Sequence, residues 1–470
     1  MLDRKQYMVM DIVHGGVNLS KDEVKVIDHP LFQRLRYISQ NDVLSMVFPG
    51  ATHTRFEHSI GACHMVGRFF DSVVFKGFDS ELRMQVFETG YLRRCVRLAV
   101  LLHDVGHGAF SHQLEKSPEI QNILQSKSHF EKMWSGVDSD VLNIIYNETP
   151  KHIEHEHYSV LIAYYILNSI KDLDVDPLDV IAIMETTSDD LIYAVSDNFI
   201  LSANKAWSNI VCNTDDKPTC KYKSAQFIRM FLRGLLTNEL DADKADYMLR
   251  DGQYSSVSYG NYNIDTLIEN IACVYESDKK WMGMGIVRKG LAAFEDFTYS
   301  RYQLYRQIYS HKASLMFDII LREAISEVMK DKVVCDDVNK ALIDVDNFGL
   351  MTDHYFWEAF RRKSREDKNS YSYMLINRKK LKFISRIENL PESSIEKVKN
   401  EIVSLRNLNN NSKVFHYTTR AKFSAINDSF EKIKIICRDN GKLSIRKFSE
   451  ETDFFNKFES ITITNFYIED

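Results

Sequence analysis

Apolar residues recur through most of this chain at the helical period, with polar residues between them. From Lys21 to Ile170 the pattern is mostly helical, interrupted by a more polar stretch from Ser126 to Thr149. A mostly apolar run, Val96 to Leu102, predicts a helix entering a buried position. Lys151 to Ser159 opens the next helix, whose apolar face is Val160, Ile162, Ala163, Ile166 and Leu167. Thr186 to Asp190 and Asn204 to Lys223 read as loops, the latter rich in Asn, Asp, Lys and Thr with Pro218. Helices resume near Gln226, and Arg301 to Met329 is the longest candidate. Ahead of them, residues up to Ser20 read as a short strand and a turn around His14-Gly15-Gly16. Beyond Lys330 the pattern changes: charge rises from Arg361 to Lys382, a helix runs from Ser393 to Leu405, and Val414 to Tyr417, Lys432 to Cys437 and Ile461 to Ile468 read as β runs. The expected fold is mainly α, with a helical core over residues 1–330 (variable lobe about 116–150) and a smaller α+β C-terminal lobe over 331–470.

Composition supports this reading. The 470 residues suffice for a sizeable core, and 18 Gly with 7 Pro favour long helices over a turn-rich β fold. Seven Cys without CxxC spacing argue against a disulfide framework or a zinc ribbon. A net charge of -6 gives no basic global field for nucleic acid, which leaves that partner open, although 60 Lys and Arg can still build a local cationic pocket. With no apolar signal core at the start and no stretch of membrane-spanning length, a soluble cytoplasmic protein without membrane contact is expected.

Candidate chemistry centres on His103-Asp104, within Leu101 to His112. Neighbours on a helix point about 100° apart, so both side chains reach one ion only at a helix end or a distortion, which Gly106 and Gly108 are expected to supply. An imidazole beside a carboxylate is a mixed N/O donor set suited to a divalent first-row metal. Upstream, Pro49-Gly50 leads into a helix near Thr54, with Thr54 as N-cap and His58 on its first turns. Downstream, Asp243, Lys244, Tyr247, Arg250 and Asp251 are spaced to lie mostly along one helical face.

His58, His103-Asp104 and Asp243 together resemble the H…HD…D pattern of the HD-superfamily metal-dependent phosphohydrolases. Asp28 to Ile38, Arg55 to Ser59, Asp243 to Tyr247, Arg301 to Tyr305 and Tyr309 to Lys312 resemble, in order, blocks of its deoxynucleoside triphosphate triphosphohydrolase branch. The resemblance runs from about Val13 to Lys312 and implies an HD-domain helical core. Some members join a SAM domain to that core, and this chain is expected to lack it.

The resemblance implies a divalent metal held by His58, His103, Asp104 and Asp243, with Mn, Fe or another first-row metal suited to the donors and Mg possible. It places His107, His112 and Glu115 at the reaction centre, where Glu115 stands in place of the usual Asp. It gives His155 the proton donated to the leaving 5′ oxygen, with His152 and His157 as competitors on the same stretch. Arg55, Lys244, Tyr247 and Arg301, with Lys312, would cradle the triphosphate. Gln40, Asp251 and Tyr309 would meet the sugar, Tyr309 leaving no space for a 2′-OH, and Tyr305 stands where relatives often carry a base-side His. Asp28, Gln33 and Arg36 match part of a guanine-reading allosteric set. Tyr7, Met10, Val287 and Ala293 depart from it, so activation by a nucleotide is expected to be altered or lost.

The resemblance thus implies a dNTP triphosphohydrolase, releasing deoxynucleoside and inorganic triphosphate, in a homo-oligomer (dimer or tetramer). An HD phosphohydrolase acting on another nucleotide or on nucleic acid ends is the second reading. A nucleotide-responsive regulatory protein is the third, and the intact ligand positions count against it.

Overall fold

The structure, a computed structural model, describes residues 7–75, 86–210, 220–406, 413–421, 433–439, 442–453 and 461–469. It is mainly helical, with small sheets at the N-terminus and in the C-terminal region. Strands β1 (Tyr7–Asp11) and β2 (Gly15–Leu19) form the hairpin expected around His14, with Gly15 at φ 71° in the turn.

Six helices carry the site. Helix α1 (Arg55–Phe75) buries Phe56, Ile60, Cys63, Val66 and Phe70, the three-to-four spacing of one face. It packs on α2 (Val86–Leu102), whose last turn, Leu98 to Leu102, is buried all round. Helix α3 (His155–Ser169) starts four residues inside the Lys151 to Ser159 stretch expected to open it, with Glu154 as its N-cap. Helix α4 (Ala242–Tyr254) lies against α1, and Gly61 makes that approach possible: a Cβ there would overlap the side chains of Asp246 and Arg250.

The expected single helix from Arg301 to Met329 is two. Helix α5 (Leu291–Leu304) runs into a wide π turn, Tyr305–Tyr309, and a new helix, α6 (Lys312–Val328), begins after it. His311 caps α6 by accepting the amide of Ala313 at 3.3 Å. Apolar periodicity continues through the break, so the pattern alone hides it. The described residues of the loop expected from Asn204 to Lys223 are also largely helical. The helix Asp197–Ile210 continues through its first part, because Phe199, Ala203, Ala206 and Trp207 form a buried stripe beneath the polar residues. Another helix starts at Lys221, and residues 211–219 lie outside the described residues.

A hairpin of β3 (Ile271–Glu276) and β4 (Trp281–Val287) appears where helix was expected. Nearly all of its residues are buried, so the polar/apolar alternation that marks a half-exposed strand is missing. Beyond it come β5 (Lys382–Glu388), β6 (Val414–Ala421), β7 (Lys434–Asp439), β8 (Lys442–Lys447) and β9 (Ile461–Ile468). One sheet has the order β3-β4-β7-β8, with β4 and β7 parallel over Gly285–Val287, and another the order β5-β9-β6. β5 and β8 were not read from sequence. Residue 432 of the expected run lies outside the described residues.

The loop after α2 is anchored from far away in sequence. Arg34, fully buried, donates to the carbonyls of Val105 at 2.6 Å and Met351 at 2.7 Å. Asp353 accepts the amides of Phe110 at 2.7 Å and Ser39 at 3.0 Å. Gly106 and Gly108 were expected to end the helix through their backbone freedom, but neither has a positive φ. The left-handed residues are Phe110 and Ser111, at φ 52° and 51°. Gly106 serves close approach instead: a Cβ would overlap the His155 carbonyl and the Ser159 amide at the head of α3. Gly106→Ala is therefore expected to destabilise the protein by about 1–3 kcal/mol, as overpacking does. The measurement is the urea unfolding midpoint, and an unchanged midpoint would contradict the packing argument.

Candidate active site

His103 follows directly on the last residue of α2, so the helix end lets His103 and Asp104 turn toward the same point. His58 comes from the first turn of α1 and Asp243 from the first turn of α4. His58 Nε2 is 3.0 Å from Asp243 Oδ1, and His103 Nε2 is 3.7 Å from the same oxygen. Asp104 places one oxygen 3.5 Å from His58 Nε2 and the other 3.4 Å from His103 Nε2. Adjacent donors on one ion with bonds of roughly 2.1 Å lie roughly 3 Å apart, which these spacings approach.

The donor atoms are also left free for an ion. His58 Nδ1 is paired with Asp246 Oδ2 at 2.7 Å, and His103 Nδ1 with the Val100 carbonyl at 2.6 Å. Each outer nitrogen is thereby engaged, and both Nε2 atoms are buried without a hydrogen-bond partner. His58, His103 and Asp243 thus form a group able to hold a metal ion. Asp104 completes the expected set, while its Oδ2 also receives Arg55. Burial lowers the pKa of His58, but the adjacent Asp243 and Asp246 carboxylates outweigh it and lift the value to about 10. Burial raises that of Asp243, yet the two imidazoles drive it below the usual carboxylate range. A divalent cation satisfies the same carboxylates in place of protons.

Beside this group stand His107, His112 and His155. The rings of His107 and His155 stack with centroids 3.7 Å apart, and His112 lies 4.8 and 5.0 Å from them. Their environments differ. Burial, with the Arg55 and His155 charges, pushes His107 and His112 well below ordinary histidine. Burial also lowers His155, but Glu115 Oε1 at 3.4 Å and Glu156 Oε2 at 3.3 Å overcome it and raise the value. The two competing histidines do not join the cavity wall. His157 is buried, with its Nδ1 accepting the Glu154 amide, and His152 is on the opening turn outside.

His103, Asp104 and Asp243, with His107, His112 and His155, face a cavity of about 650 Å³, while His58 is wholly buried and off its wall. Gln40, Arg55, Lys244, Tyr247 and Asp251 line it, and so do Arg301, Tyr305 and Tyr309. Lys244 Nζ is held by Asp241 Oδ2 at 2.6 Å and Arg301 by Glu239 Oε2 at 2.9 Å. Arg55 is buried, donating to Ser111 Oγ at 2.7 Å as well as to Asp104. Both oxygens of Asp251 are engaged, one with His53 Nε2 at 2.7 Å and the other by the Tyr309 hydroxyl. Lys312 is not brought to the cavity: its ammonium sits 4.9 Å from the Phe383 ring. Asp28 is exposed, and Gln33 and Arg36 bond to each other at 2.8 Å on a different face. There Arg36 stacks on Phe56 at 3.6 Å and lines a separate groove with Tyr37 and Trp357.

Sequence reasoning missed several groups around the site. Asp246 was noted only as part of a motif, His14 only as a turn residue, and His53 only within the Pro49-Gly50 segment. Asp42, Gln113, Lys116, Asp318 and Tyr417 also line the cavity. Tyr417 was read as part of a β run without any signal tying it to the site.

Residues 55–199 match the family described as HD domain. The chain is 24% identical to an uncharacterized protein of Methanocaldococcus jannaschii over 79% of this chain and 61% of that protein. It is 26% identical to deoxynucleoside triphosphate triphosphohydrolase SAMHD1 of Mus musculus over 74% of this chain and 49% of the relative. The Homo sapiens protein of that name is also 26% identical, over 75% of this chain and 50% of its own length. The chain thus spans between half and three fifths of these relatives. Among solved structures, a phosphohydrolase from Bacteroides thetaiotaomicron superposes with a TM-score of 0.65 at 22% identity, covering 99% of this chain and 100% of that one. That likeness establishes the fold.

The geometry behind the ligands generates a test. Asp246→Asn removes the carboxylate that orients His58 and is expected to weaken metal affinity about 10- to 100-fold. Competition against a chelator, with folding checked by circular dichroism, reads the effect. Wild-type metal affinity in the folded variant would contradict the assignment.

Proposed function

We propose that this chain, whose residues 55–199 match the HD domain, hydrolyses deoxynucleoside triphosphates to deoxynucleoside and inorganic triphosphate. The observation that carries the reading is one cavity whose wall joins His103, Asp104 and Asp243, backed by the buried His58, to three imidazoles with unequal proton affinity and the Lys244 and Arg301 cations. The similarity to proteins named as dNTP triphosphohydrolases, at about 25% identity, supports the same substrate. A divalent metal bound by that group supplies Lewis-acid polarisation of the phosphate and a nucleophilic water at neutral pH.

The chain's own residues divide the remaining work. Lys244, Arg301 and Tyr247 hold the phosphates, and Tyr309, fixed by Asp251, packs against the sugar where a 2′-OH would lie. His107 and His112 stay neutral and receive hydrogen bonds from a water. Attack of the water oxygen on the α-phosphorus forms a new P–O bond and breaks the bond to the 5′ oxygen, and the proton that the water loses passes to solvent, from which His155 is later reprotonated. His155, the imidazole whose surroundings keep its proton, gives that proton to the departing oxygen. The triphosphate leaves as one unit with the oxygen from water. His155 sits 3.4 Å from Glu115, so Glu115 holds the acid in its charged form rather than reacting itself.

Hydrolysis in ¹⁸O-labelled water is expected to place the label in inorganic triphosphate and none in the nucleoside. Detection of dNMP and pyrophosphate, or dNDP and phosphate, as primary products would overturn the mechanism. Matched dNTP and NTP pairs test the sugar contact, and equal turnover on both would move the substrate to the wider nucleotide class.

A pH profile tests the acid. An acid is active while protonated, so the rate falls as pH rises through the His155 pKa. Glu115→Gln removes a charge that raises this pKa. The basic limb of the kcat/KM profile should therefore move to lower pH, and a limb that stays in place would remove His155 from the role.

A further inference from the structure

Beside the proposed sugar contacts the cavity wall carries a further group of polar residues. Two chain segments lead there. Gln40 is followed two residues on by Asp42, and Tyr309 is followed by Ser314 and, one turn of α6 later, Asp318. All three line the cavity, together with Tyr417 of β6. A nucleotide with its 5′ oxygen at the imidazoles and its sugar on Tyr309 has its base left to place, and the base is attached at C1′, across the ring oxygen from the carbon that bears C5′.

Polar groups in this corner await partners. Ser314 is 5% exposed, and its Oγ makes no hydrogen bond. Asp42 receives Gln113 Nε2 on Oδ2 at 2.7 Å, while its Oδ1 is buried and unpartnered. Gln113 is fixed in turn by Arg322 Nε at 2.7 Å, and Arg322 also donates to the Tyr417 hydroxyl. Asp42 stands in the left-handed backbone region at φ 49°. A buried hydroxyl and a buried carboxylate oxygen without partners cost stability, so their presence in a cavity wall points to a ligand that satisfies them. Asp42 and Asp318 also face each other electrostatically. Burial, reinforced by the Asp42 charge, lifts Asp318 to about 8, and burial raises Asp42 as well. Burial and mutual repulsion thus work against both carboxylates being charged together.

We propose that Asp42, Ser314 and Asp318 form a base-reading corner that favours nucleotides whose base edge carries adjacent N–H donors, guanine foremost, over thymine. This rests on the reading of the cavity as a dNTP site. Guanine presents N1–H and N2–H side by side, which one carboxylate receives in a paired contact. Its O6 lies on the same edge, and Lys116 on the same wall offers a donor for it. Adenine and cytosine offer an exocyclic amine alone. Thymine presents carbonyls on both sides of a single N–H, which sets oxygen against carboxylate oxygen.

The test is steady-state kinetics on dGTP and dTTP with manganese, for the wild type and for Asp42→Asn, Asp318→Asn and Ser314→Ala. The wild type is expected to prefer dGTP in kcat/KM by about tenfold or more. Each Asn variant should reduce that preference about tenfold, through loss on dGTP, and Ser314→Ala should reduce it less. Equal wild-type kcat/KM on the two nucleotides, or equal losses on both in the variants, would overturn the corner while leaving dNTP hydrolysis standing. If an Asn variant melts early, the wild-type preference and Ser314→Ala, which deletes one atom, decide the matter. Absence of turnover on every dNTP by metal-loaded wild type would overturn the dNTP reading, and the corner with it.

Discussion

The Asp246 carboxylate, wholly buried beneath the candidate metal group, is the interaction on which the rest of the site depends. One oxygen meets His14 Nε2 at 2.6 Å and Arg250 at 2.9 Å, and the other meets His58 Nδ1 at 2.7 Å and Arg250 Nε at 2.9 Å. Arg250 in turn reaches Asp11 at 2.9 Å. The N-terminal hairpin, α1 and α4 are thereby joined through one side chain, and Gly61 provides the space for it. A buried charge is tolerable only when paired and hydrogen-bonded, and this one is saturated. The arrangement fixes the tautomer of His58, which leaves Nε2 facing Asp243. The same anchor explains why the hairpin, remote in sequence from every ligand, belongs to the site.

A second set of constraints comes from residues beyond Lys330. Met351 and Asp353 hold the loops on both sides of the site through Arg34, Phe110 and Ser39, and β6 contributes Tyr417 to the cavity wall. The sheet β3-β4-β7-β8 ties the same region to residues 271–287. The cavity is therefore shaped by segments that a reading of motifs alone would treat as separate from it.

The legible part of the fold was the part with local signals. The apolar run ending at Leu102 gave the end of α2, and the helical face from Asp243 gave α4, because both patterns rest on neighbours within a few turns. The H…HD…D ligands come together because each sits at a helix end or in a first turn. What was hidden depends on distant partners. β4 pairs with β7 across about 150 residues of sequence, and its burial on both faces erases alternation. The break between α5 and α6 is a hydrogen-bond shift within an unbroken apolar pattern. Asp42 and Asp318 are ordinary surface-type residues in sequence, and only the fold closes a cavity over them.

The charge balance of the cavity bears on how a triphosphate is held. Lys244 is paired with Asp241, Arg301 with Glu239 and Arg55 with Asp104, so these three cations already have counter-charges. A triphosphate brings roughly four negative charges, and cations partly offset by their own carboxylates attract it less strongly than free ones would. Lys116 and Arg420, on the wall without such close carboxylates among the described ion pairs, cannot make up the difference alone. A divalent ion at the His58/His103/Asp104/Asp243 group changes the sum in two ways. It adds positive charge at the reacting phosphate, and it neutralises Asp104 and Asp243, which releases part of the Arg55 field toward the ligand. On this balance the metal group and the cations would act as one electrostatic device, and affinity for the proposed triphosphate substrate would follow metal occupancy.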